Sequence, residues 1–294
     1  MKKGILLAFA CLSLSFSTSF ACTEDGTEGI LPENKLNIPV GAKNTSQVTE
    51  EIFNQVLDRV EALYAPIVES LGKKLLVVRN WDDGTVNAYA QQQGDSWMIS
   101  MFGGLARHHT ITPDAFAVVA CHELGHHLGG APKKKTWFST SWASNEGQSD
   151  YFATMKCLRK YMEKDANAEI MAKVEVPTTV IQKCSESFQS QNDRAMCQRG
   201  AMAGLSLGNL FKVLRNSEAE LNFDTPDPSI VRKTDHNHPA SQCRLDTYFA
   251  GALCDKDYYS DVDNEDAAMG VCTRAEGYKF GTRPRCWYKV PRNL

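Results

Sequence analysis

From Val48 to Leu71 the apolar side chains Val48, Ile52, Phe53, Val56, Leu57, Val60, Leu63 and Tyr64 return at spacings of three and four. That is the period of one helical face, so the segment predicts an amphipathic helix that Pro66 kinks or ends. Leu75 to Val78 is a short β run. Val86 to Ala90 and Trp97 to Met101, parted by a polar stretch with Gly94 and Asp95, predict a hairpin. The next helix is fully punctuated: Thr112 as N-cap, Pro113 at the first helical position, Asp114 at the positive end and Gly129-Gly130 as the stop. Its first half, Ala115 to Cys121, is apolar on every side, as in a helix buried at a domain centre. After a loop from Ala131 to Asn145, helices are expected at about Glu146 to Met162, Val176 to Phe188, Arg194 to Leu214 and, beyond a polar loop from Asp224 to Pro239, Ala240 to Ala252. The pattern is that of a mostly helical α+β protein with a small hairpin or sheet beside the 113–128 helix. Residues 46–253 form its main domain, preceded by an extended lead-in at 22–45 and followed by a cysteine-containing tail at 254–294.

The first residues add a location. Lys2 and Lys3 precede an apolar stretch from Ile5 to Leu14, and Ser19-Phe20-Ala21 is a small-x-small cleavage site, so residues 1–21 read as an export leader. Two other readings of this end are an uncleaved anchor, since Gly4 to Thr23 carries no charge, and a lipid attached at Cys22. Cleavage leaves an exported chain, periplasmic or secreted, with no integral membrane span. The 294 residues are 43% hydrophobic, and 32 Lys+Arg stand against 35 Asp+Glu for a net charge of -3. That balance offers no excess positive charge for a phosphate backbone and excludes nucleic acid as a partner. Of ten cysteines one, Cys11, lies in the leader, and the rest contain no Cys-x-x-Cys pair, which favours disulfides in an exported chain. The expected pattern is local closure of Cys184 with Cys197 and a tail cross-linked through Cys243, Cys254, Cys272 and Cys286, with Cys121 free.

The chemistry sits on the buried helix, which carries His122-Glu123-Leu124-Gly125-His126. Histidines four apart lie on one face one turn apart, so both imidazoles can reach a single Zn²⁺ while Glu123 stands beside it as a base. Zinc takes a third protein ligand and keeps one position open. Glu146 and Asp150, spaced four apart at the start of the following helix, supply it: one carboxylate ligates and the other accepts the N–H of a ligating histidine. Their plainer role would be acids favoured by a helix N-terminus.

Asn87-Ala88-Tyr89-Ala90, the Trp97 to Met101 strand, Gly103-Gly104-Leu105, the Asp114 to His126 helix, Glu146-x-x-x-Asp150, and His238-Pro239 followed by Arg244 occur in this order. The combination resembles the zinc metallopeptidase family of HtpX and the CAAX prenyl endopeptidases over roughly residues 48 to 250, and within it the soluble exported members. The resemblance implies a zincin-like core with one zinc held by His122, His126 and Glu146, and Glu123 as catalytic base. It also implies that His238 and Arg244 approach the metal from the C-terminal side.

The expected function is therefore a zinc endopeptidase acting on polypeptide substrates among exported or envelope proteins. Asn87, Ala88 and Tyr89 would offer a free strand edge to an extended peptide. His238 would either take the open metal position or, like Arg244, donate to the oxyanion. A binding or assembly factor with rare proteolysis, and hydrolysis of a non-peptide amide, are the competing readings. His127 and Cys121 point about 100° away from the metal and belong to the helix core. His108-His109 and His236 are expected at the surface and Lys133 to Lys135 in a solvated loop. Trp137, Phe138 and Trp142 either wall the cleft or pack locally.

Overall fold

The computed structural model describes residues 19–20, 29–43 and 45–291, so most of the leader, Cys11, Cys22 and the first part of the lead-in lie outside the described residues. The protein is α+β and mostly helical. Its chain order is β1 (Ser19–Phe20), α1 (Glu50–Ser70), β2 (Lys74–Asn80), β3 (Ala88–Gln93), β4 (Ser96–Phe102), α2 (Gly103–Arg107), α3 (Pro113–Leu128), β5 (Lys133–Lys135), β6 (Thr140–Ser144) and α4 (Glu146–Phe152). A π-helical turn at Ala153–Cys157 then leads into α5 (Leu158–Met162), α6 (Asn167–Met171), α7 (Thr178–Ser187), α8 (Gln191–Leu214) and α9 (Ser241–Leu253). Among the described residues no helix is long and apolar enough to cross a membrane.

The main sheet has the order β1-β3-β4-β2. β3 and β4 form the expected hairpin, Ala88 opposite Met101 and Gln93 opposite Ser96, and β2 runs parallel to β4 from Lys74↔Ser96 to Asn80↔Phe102. α3 lies at the centre of the core. Its N-terminus is capped as its sequence dictates, with Thr112 Oγ1 accepting from Ala115 N–H at 3.2 Å. Residues Ala115 to His127 are all buried, and Phe116 stacks on Phe53 of α1 at 5.0 Å.

Pro66 does not end α1, which runs on to Ser70. The proline deletes one backbone bond, yet the buried face of Val60, Tyr64 and Val68 continues past it, and burial of that face outweighs a single lost bond. The expected loop at 131–145 contains a hairpin, β5 paired antiparallel with β6. Its strands carry little apolar alternation, the signal by which a half-buried strand is read.

Among the described residues four disulfides cross-link the fold: Cys121–Cys157, Cys184–Cys197, Cys243–Cys286 and Cys254–Cys272. The last three follow the expected local closure and cross-linked tail. Cys121 is not free, because the side of α3 turned away from His122 and Glu123 packs against the π-helical turn that carries Cys157. Four buried disulfides accord with folding in an oxidising compartment, as for an exported protein.

Candidate metal centre

α3 and α4 meet at the centre of the molecule. Gly125 makes the meeting close, since a Cβ there would stand 3.0 Å from the Cα of Ser149. The approach brings Glu146, in the first turn of α4, over the one face of α3 shared by His122 and His126. Glu146 Oε2 lies 3.3 Å from His122 Nε2, and Oε1 lies 3.6 Å from His126 Nε2. The potential ligand atoms of these three buried residues all fall within 4.8 Å of one another.

Partners behind the rings set which nitrogen faces inward. Asp150 Oδ1 accepts from His122 Nδ1 at 2.7 Å, and the Ser144 carbonyl accepts from His126 Nδ1 at 2.9 Å. An acceptor at Nδ1 fixes a proton there, so Nε2 is the nitrogen that a metal would take. Glu146 Oε2 and His122 Nε2 have no hydrogen-bond partner among the described residues, nor does either oxygen of the fully buried Glu123. Leaving buried polar atoms such as His122 Nε2 and Glu146 Oε2 unpartnered is costly, and a divalent cation between them would satisfy both. Two imidazoles and a carboxylate are also the donor set of a three-ligand zinc site with an open position.

The protonation of these groups follows from burial and from one another. Burial works against a charged His122, but Asp150 and Glu146 outweigh it and raise its pKa to about 9. Burial lowers His126 to about 4, with Glu146 opposing. Burial likewise raises Glu123 to about 8, against the pull of His122. Glu146 is held well below its ordinary range despite burial, by His238, His126 and His122. Asp150 is drawn down to about 2 because Arg244 and His122 outweigh desolvation.

His238 reaches the site. Its Nε2 stands 3.3 Å from Glu146 Oε2 and 2.8 Å from the Gly29 carbonyl. Arg244 departs from expectation. Its guanidinium is buried behind Asp150, with Nε donating to Oδ2 at 2.8 Å, Nη2 to Oδ1 at 2.7 Å and Nη1 to the Ile30 carbonyl at 2.7 Å. With its donors fixed in this way it is no partner for an oxyanion; it positions Asp150, which positions His122. Tyr248, from the same helix, adds a hydroxyl to Asp150 Oδ1 at 2.5 Å, a residue that no motif announced.

The strand edge at Asn87, Ala88 and Tyr89 is not free. Ile30 N–H donates to the Ala88 carbonyl at 3.1 Å, and the Asn87 side chain brackets Leu31, accepting from its N–H and donating to its carbonyl, both at 3.1 Å. The Tyr89 hydroxyl accepts from the same Asn87 Nδ2 at 3.3 Å. Farther along β3, Ser19 and Phe20 pair with Gln92 and Gln91. The chain's own lead-in, with the end of its leader beyond it, thus lies where an extended substrate was expected.

Among the remaining aromatics, His127 is buried between Trp97 and Trp142, stacked at 5.2 and 4.9 Å, so Trp142 packs locally. His108, expected at the surface, is buried and within 2.9 Å of Thr110 Oγ1. A second grouping, Asp227 with Cys243 and Cys286, lies close enough to suggest a metal site, but the two sulfurs are joined to each other. No protein family, curated protein or solved structure matches this chain.

Proposed function

We propose that the protein is a zinc-dependent endopeptidase with a zincin-like core, acting on exported polypeptides. The observation that carries this reading is the closure of His122, His126 and Glu146 on one point beside a buried carboxylate, Glu123, with no hydrogen-bond partner. When bound there, Zn²⁺ supplies a Lewis acid and brings the pKa of a coordinated water towards 7. Glu123 is suited to take a proton from the attacking water and hand it to the leaving amine, since burial raises its pKa to about 8 and makes it a stronger base than an ordinary carboxylate. Asp150 and the Ser144 carbonyl keep both imidazoles aimed, and Arg244 keeps Asp150 charged. The test is mass spectrometry of cleavage products from an envelope protein extract, comparing the native protein with Glu123→Gln, alongside zinc content. Products that depend on Glu123 support the reading; identical products from both proteins refute it.

A second reading is favoured by one observation, the occupied edge of β3. With Gly29 to Leu31 seated on Asn87 and Ala88, proteolysis would be rare or gated, and the protein would serve chiefly as a binding or assembly factor. Turnover measured before and after the lead-in is weakened separates the two.

A further inference from the structure

The β5–β6 hairpin links the end of the metal-bearing α3 to the start of α4. At its tip Trp137 and Phe138 are 93% and 94% exposed, while the next most exposed large apolar side chain among the described residues, Ile230, reaches 58%. They are the central pair of a four-residue turn. Thr136 N–H donates to the Ser139 carbonyl at 2.8 Å, and Ser139 N–H donates to Thr136 Oγ1 at 3.1 Å, so two adjacent aromatics are presented on an ordered support. Lys133, Lys134 and Lys135 immediately precede the turn, and residues 131–145 contain no Asp or Glu. The Lys133 ammonium donates to the Trp142 carbonyl within the hairpin, while Lys135, nearest the tip, is exposed. The acidic run from Asp261 to Asp266 meets the hairpin at its root, where the Asp263 carbonyl accepts from Ala131 N–H.

We propose that this tip docks on a lipid bilayer carrying anionic headgroups, with Trp137 and Phe138 entering the interfacial layer and the lysines above it. Trp is favoured at that depth because its ring is apolar while its N–H stays near water. Basic residues beside it add attraction to an anionic leaflet. A protein partner is the poorer fit. A stable interface buries about 800 Å² on each side, whereas two aromatic side chains offer roughly half of that. A fluid bilayer closes around a protrusion of any shape. Docking there would hold the α3–α4 junction close to the membrane surface, yet it depends on no metal, so it stands or falls apart from the proposed activity.

The test is co-sedimentation of the processed chain, carrying Cys22→Ser to remove any lipid at that residue, with phosphatidylglycerol–phosphatidylethanolamine vesicles and with pure phosphatidylcholine vesicles. The expected result is binding to the anionic vesicles that weakens with added salt. It should fall at least tenfold in Trp137→Ser/Phe138→Ser and severalfold in Lys134→Glu/Lys135→Glu. Thermal unfolding of each variant checks that the fold is intact, as expected for side chains outside the core. Trp137→Phe should retain most binding while losing the blue shift of tryptophan emission that accompanies it. Failure of the native chain to bind any vesicle, or equal binding by the doubly substituted tip, overturns the proposal. So does association with native membranes that is lost when their proteins are digested, with none to lipid alone; that outcome assigns the tip to a protein.

Discussion

Arg244 and Asp150 form a fully buried pair, two donors of the guanidinium on two oxygens of the carboxylate. The same carboxylate orients His122, so Arg244, 94 positions beyond Asp150, helps to fix which way His122 Nε2 points. Asp150→Asn keeps an acceptor for His122 but removes the charge that answers Arg244. Zinc affinity is expected to fall by about 10- to 100-fold. Asp150→Ala should also destabilise the fold by ~3–5 kcal/mol, since it leaves a buried guanidinium unpaired. Titration against a competing chelator and denaturant unfolding read the two effects separately.

Glu123 is not within the ligand triad, so Glu123→Gln should bind zinc as the native protein does while losing activity by at least ~10²-fold, the usual scale for a general base. His126→Ala should lose both. Metal content measured beside proteolysis of casein decides it, and unchanged proteolysis in the Gln variant would sink the mechanism.

The Cys121–Cys157 disulfide ties α3, which carries His122 and His126, to the π-helical turn that follows α4. Replacing both cysteines by serine should cost ~2–5 kcal/mol, the range for a native disulfide. Calorimetry of the double variant is the check, and an unchanged midpoint would show that the packing of α3 alone holds the junction.

His108 sets a pH dependence. Burial, aided by His109, lowers its pKa from 6.5 to about 4, so the fold disfavours the charged ring. Protonation therefore favours the unfolded chain. The contribution to stability is fully present above about pH 6.5, falls as the pH drops, and is lost by about pH 4. His108→Gln should flatten the slope of thermal midpoint against pH within that window and leave it unchanged above it.

Much of this was legible in the chain itself. Thr112, Pro113 and Gly129 mark the limits of α3, and the four-residue spacings of His122 with His126 and of Glu146 with Asp150 place their side chains on facing surfaces. What escaped were relationships between distant segments. The role of Arg244 depends on α9 crossing behind α4, and the Cys121 pairing depends on which side of α3 meets the π-helical turn; neither is encoded by local spacing. The seating of Ile30 and Leu31 was hidden for the same reason, since nothing in an extended lead-in names the strand it will join.

Gly29 sits where a side chain does not fit, a Cβ there falling on the Ala88 carbonyl and within 2.8 Å of the Tyr89 ring. Gly29→Ala should therefore loosen the lead-in and, on the metallopeptidase reading, raise the rate on an unstructured protein several-fold. His238→Ala, which removes the contact to the Gly29 carbonyl, should act in the same direction. Rates equal to or below the native value in both would show that the lead-in is a fixed part of the wall and not an obstacle.

A segment tethered to the strand it covers acts as a competitor at an effective concentration in the millimolar range, whatever the concentration of free peptides around it. Short peptides, which meet the edge once and leave, lose that competition. A long unfolded chain does not, because each of its segments is tethered to the others and a first contact anywhere raises the local supply of the next. Such an edge would discriminate by the length and disorder of what approaches it, not by its side chains.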